Sequence, residues 1–127
     1  MTKKPIGITN GRFHPCPNSP NCVSTQSNDE KHKMIPIKYN ASLEQAKLKI
    51  LDIIKSLKRT RIKTKTDNYI HIEFRTAIFR FVDDVEFYFD DTEKIIHFRS
   101  AARLGYSDLG VNRKRMDFIT KLFHKTN

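Results

Sequence analysis

The chain has no tryptophan, only four glycines, and just two cysteines in 127 residues. Without tryptophan, the nine phenylalanines must supply much of the buried aromatic area. No run approaches the ~20 consecutive apolar residues that a membrane helix needs. No apolar stretch follows the basic start "MTKKPIGITNGRFHPCPNSP", so a signal peptide is not expected. The expected location is therefore cytoplasmic, and two cysteines in that reducing compartment are expected as thiols. There is no internal repeat, no second-domain signal, no C-x-x-C pair and no EF-hand spacing. Nothing in the sequence calls for a cofactor, and the oligomeric state is left open.

Acids are also scarce. Twenty-four lysines and arginines face fourteen acids, giving a formal charge of +10. That excess points toward anionic company: a phosphate-bearing ligand, nucleic acid, an acidic protein or an acidic membrane surface. It is unevenly spread. Between Lys47 and Lys65 eight cations meet one acid, whereas six acids and no cation lie between Asp83 and Glu93.

What is present reads as one α+β domain, of a length suited to a single core. Residues 1–34 form a segment with four of the five prolines, many Asn and Ser residues and no periodicity; residues 35–127 carry the fold. "IPIKY" at 35–39 suits a short edge strand, since Pro36 cannot donate to a ladder. "NASLEQAKLKILDIIKSLKR" is a helix opened by a Ser42–Gln45 capping box, with Leu43, Ala46, Ile50, Ile53, Ile54 and Leu57 on one stripe. "RTRIKTKT", "YIHIEFRT", "VEFYFD" and "IIHFRS" alternate as strands. A last helix from about Leu109 to His124 places Met116, Ile119, Leu122 and Phe123 on its apolar stripe, with Asp108 or Asn112 as cap. The expected architecture is two-layer: an antiparallel sheet of four to five strands with both helices on one face. The other face is expected to meet solvent and display Arg61, Lys63, Lys65, His71, Glu73, Arg75, Glu86, Tyr88, His97 and Arg99.

Candidate chemistry falls in three places. Cys16 and Cys22, with His14 nearby, form a possible thiol site, the basis for reading the chain as a hydrolase or thiol-dependent enzyme. Their five-residue spacing and the want of a fourth ligand argue against zinc, so no metal is expected. The run "DDVEFYFDD" reads as a solvated acidic turn. Finally "RSAARLGYSDLGVNRKR", 99–115, holds four arginines where a strand must become a helix. Exposed helix amides beside guanidinium groups suit a phosphate or carboxylate, whereas Asp108 could fill the helix end and hold the arginines itself. Both readings stay open.

Three segments, "CPNSPNCVST", "EFRTAIFRFVDDVEFYF" and "HFRSAARLGYSDLGVNRKRM", together resemble the bacterial and plastid family catalogued as domain of unknown function 1499. The likeness spans roughly residues 13–124. Its signature R-S-x-S-R-x-G-x-x-D-x-G-x-N-x-x-R falls on Arg99, Ser100, Arg103, Gly105, Asp108, Gly110, Asn112 and Arg115, with Ala102 where a serine is common. The resemblance implies a shared fold but no activity. Many members carry an anchor, a lipid-modified leader or a targeting segment, none of which is expected here. It also implies that the signature residues act together, as one buried network or one site. The resulting expectation is a non-enzymatic module binding an anionic small molecule or acidic partner through Arg75, Arg99, Ser100, Arg103 and Arg115, oriented by Asp108 and Asn112. Nucleic-acid binding through the Lys47–Lys65 surface is a further alternative.

Overall fold

The computed structural model describes residues 5–125. The first four and last two residues of the ranges above lie outside it. In chain order the elements are β1 (Ile8–Thr9), β2 (Arg12–Phe13), β3 (Cys22–Ser24), β4 (Ile37–Lys38), α1 (Leu43–Ser56), β5 (Thr60–Lys65), β6 (Tyr69–Arg75), β7 (Val82–Asp90), β8 (Ile95–Ala102) and α2 (Val111–Lys125).

The α+β class holds, and the sheet is larger than expected. Six strands run in the order β3-β8-β7-β6-β5, and β4 joins the same edge of β8 as β3; β1 and β2 form a separate ribbon. All strand pairings are antiparallel. The extra strands come from the N-terminal segment. They are two or three residues long, too short to show alternation.

One face of the sheet follows from period-two alternation. Ile70, Ile72 and Phe74 of β6, Val85, Phe87 and Phe89 of β7, and Ile96 and Phe98 of β8 form one buried cluster. Ala46, Ile50, Ile53 and Ile54 of α1 and Met116, Ile119 and Phe123 of α2 complete it. The capping box forms as the sequence requires: Ser42 accepts from the Gln45 amide, and Gln45 accepts from the Ser42 amide.

The second face corrects the expectation. His71, Glu73, Glu86 and Arg99 are buried. Residues 7–16 cross this face as a strap that continues into the edge strand β3. The Gly7 amide donates to Glu86 Oε2 at 2.9 Å. A Cβ on Gly11 would stand 3.1 Å from the Tyr88 hydroxyl. Thr25 Oγ1 and His97 Nδ1 share a 2.8 Å hydrogen bond. Only the β5 cations stay exposed as expected, and not all on one face. A bulge between Ile62 and Thr64 shifts the register, so Arg61 opposes Glu73 while Lys65 opposes Ile70.

Candidate functional site

The acidic run is no solvated turn. Asp83, Asp84 and Glu86 are buried in β7, beside β8, which carries Arg99 and leads into Arg103. Alternation sends the signature residues to opposite faces of the sheet, so they form two networks rather than one.

On the strap side, Arg103 grips two acids. Its Nη2 lies 2.7 Å from Asp84 Oδ1 and 2.9 Å from Glu73 Oε2, and its Nε donates to Asp84 Oδ2 at 3.0 Å. His71 Nε2 is 2.8 Å from Asp84 Oδ1. Burial pushes the Asp84 carboxyl up, but the hydrogen bonds from His71 and Arg103 outweigh it and leave it below its ordinary range. The Arg103 hydrogen bond likewise lowers Glu73, and Asp84 raises Arg103 in return. Arg75, at the rim, comes within 3.6 Å of Glu73.

Deeper under the strap, Arg99 is fully buried and faces Glu86 at 3.6 Å. Tyr69 donates to Glu86 Oε2 at 2.5 Å. Burial pulls the Arg99 guanidinium down, against the opposing pull of Glu86. Its Nη2 reaches the Pro15 carbonyl at 3.5 Å, while Nε, Nη1 and Glu86 Oε1 make no hydrogen bond among the described residues.

On the helix side, Arg115 Nη2 binds Asp83 Oδ2 at 2.7 Å, and its Nη1 donates to Asn112 Oδ1 at 2.8 Å. The Ser100 hydroxyl donates to that Asn112 oxygen at 2.5 Å. Asp108 accepts from the Gly110 and Asn112 amides and from Asn112 Nδ2, so it caps α2. Those bonds outweigh burial and hold its carboxyl low. Among the described residues no arginine pairs with Asp108.

The N-terminal signature locks the junction. Asn21 donates to the Gly105 carbonyl at 2.8 Å, and its own carbonyl accepts from the Ala102 amide at 2.9 Å. Its partners lie more than eighty residues away, and no local spacing could show this. Cys16 and Cys22 form a disulfide with their Cα atoms 5.7 Å apart. This corrects the thiol reading: each sulfur is bonded to the other, so neither is a nucleophile. His14 is exposed on the strap, beside Cys16 in a 370 Å³ cavity also lined by Arg12, Ser24 and Gln26. A groove of 1170 Å³ runs between α1 and the end of α2, lined by Tyr39, Lys49 and Phe123 among others and by none of the signature residues.

The three sequence motifs therefore meet across the sheet: "SPNC" at the junction, "DDV" under the arginines, and the Arg/Asp/Asn set around them. A family model described as "Protein of unknown function (DUF1499)" matches residues 12–123. The chain belongs to that family. Among curated proteins, none matches this chain. The matched range takes in both charge networks and part of the strap that covers one of them.

Proposed function

We propose that the protein is a non-enzymatic binding module that docks on an acidic partner surface rather than enclosing a small anion among its signature arginines. One observation carries the reading: positive charge is divided between cations that face a buried carboxylate and cations that face none. Arg99, Arg103 and Arg115 each face a buried carboxylate. On the exposed edge strand β5, Arg61, Lys63 and Lys65 form no ion pair among the described residues. A ligand anion at Arg103 would have to displace Asp84 and Glu73, leaving two buried acids with only His71 and the rim residue Arg75 beside them. An acidic surface meeting β5 displaces nothing. Lysine and arginine on an edge strand also block pairing with another sheet, so one feature serves both ends.

The disulfide favours an oxidising compartment over the cytoplasm expected from the sequence. Catalysis by Cys22 finds no support while its sulfur is bonded to Cys16.

The test is retention on immobilised heparin, used as an acidic polymer, at graded salt. The wild type is expected to elute at moderate salt, and the Arg61→Glu/Lys63→Glu/Lys65→Glu variant to pass through. Equal retention of the two would remove the proposal. A parallel melting series with phosphate, citrate and nucleotides is expected to show no stabilisation; a saturable rise lost in Arg103→Ala would restore the small-anion reading.

A further inference from the structure

One end of the sheet departs from the usual distribution of apolar side chains. Ile78 and Phe79 in the β6–β7 turn are 83% and 74% exposed, and Phe81 is 54% exposed. In the adjoining β8–α2 loop, Leu104, Tyr106 and Leu109 are 52%, 69% and 86% exposed. The two loops are neighbours, since the Arg103 amide donates to the Val82 carbonyl at 2.9 Å. The turn is built to project. Thr76 and Phe81 close its base through two 2.9 Å hydrogen bonds, and the Phe79 and Phe81 rings stack with centroids 5.6 Å apart.

The same end is cationic. Lys58 and Arg59 precede β5, Arg61 lies just inside it, and Arg80 sits within the apolar turn; all four are exposed. Arg59 is tied to this end by hydrogen bonds with the backbone of Arg75. Of the nearby acids, Glu73, Asp83 and Asp84 are buried and already paired, and Asp108, half-buried in the 104–109 loop, is turned onto the Gly110 and Asn112 amides and Asn112 Nδ2.

We propose that this end of the sheet docks on an anionic lipid bilayer, with the 77–81 turn and the 104–109 loop entering the headgroup region and the cations holding lipid phosphates. The inference rests on the acidic-surface reading above and names its partner. A second copy of the chain would bring like charges together at the same patch. The apolar side chains project from separate turns instead of lining a groove, a shape that a fluid interface accepts without a matching pocket. Apolar burial and attraction to anionic lipid then act together, as they do for interfacial segments in general.

Because the chain has no tryptophan, Phe79→Trp gives a fluorophore free of background. The protein is mixed with vesicles of phosphatidylcholine alone or of three parts phosphatidylcholine to one part phosphatidylglycerol. Binding is expected to the mixed vesicles, with a blue shift of the indole emission and quenching by brominated acyl chains. Phe79→Ser/Phe81→Ser is expected to weaken binding by about tenfold or more, from the apolar area withdrawn, and Arg59→Glu/Arg61→Glu/Arg80→Glu to abolish it. All these positions are exposed, and circular dichroism confirms the fold of each variant. Vesicle binding without quenching of the indole, or binding unchanged in either multiple variant, overturns the inference. Heparin retention without vesicle binding overturns it while leaving the acidic-surface reading intact; failure of both removes both.

Discussion

Arg103 and Asp108 show how similar polar residues in one motif do different work. Arg103 joins Asp84 and Glu73 across two strands, and its loss leaves two acids facing each other in a covered site. Arg103→Met is expected to cost about 3 kcal/mol, the scale for breaking a buried ion pair from one side, read as a lower urea midpoint with an unchanged slope. Asp108 acts on the backbone, taking the amides of Gly110 and Asn112 at the start of α2. Asp108→Ala is expected to cost about 1 kcal/mol, as loss of a helix cap does. The order of the two effects is itself informative. Were Asp108 the anchor of the arginines, its removal would be the more damaging.

The helices and the four long strands were legible in the sequence because each is long enough to display its period. α1 starts at its capping box, and β6, β7 and β8 bury their alternate apolar side chains. The strap was not legible. β1, β2 and β3 are two or three residues long, and the partner of β3 lies far along the chain. Missing the strap is what made the second face read as solvated. "DDV" read as a turn because the arginines that make its acids tolerable lie outside the strands: Arg103 follows β8 and pairs with Asp84, and Arg115 of α2 pairs with Asp83 on the other face. The signature was legible as a group of residues, but its division between two faces required the register of β8. The disulfide fastens a short loop of the strap, closing over a separation of six residues. Cys16→Ser/Cys22→Ser is expected to cost about 2 kcal/mol by loop-closure entropy, with earlier proteolysis at the N-terminal side than in α1 or α2.

For the whole molecule, acid sensitivity should come in two stages. Burial holds His97 below its usual 6.5, so the unfolded chain takes up that proton first and stability declines as pH falls through about 6.5. Asp84, Glu73 and Asp108 titrate below their ordinary range in the fold, so their contribution is full above that range and is lost as pH falls toward their lower folded values. Urea midpoints between about pH 2 and 8 are expected to show both declines. His97→Gln is expected to flatten the first and spare the second. The strap also sets an order of events during synthesis. Ser24 pairs with Arg99, so the part of the chain made first has no docking strand until β8 has been made. At ordinary translation rates that delay is roughly 4–15 s. For that interval the nascent N-terminus carries a cysteine pair able to close locally while the strand it will lie against does not yet exist. Oxidation can therefore precede docking, and a ribosome stalled before residue 95 should display an already cross-linked but unanchored leader.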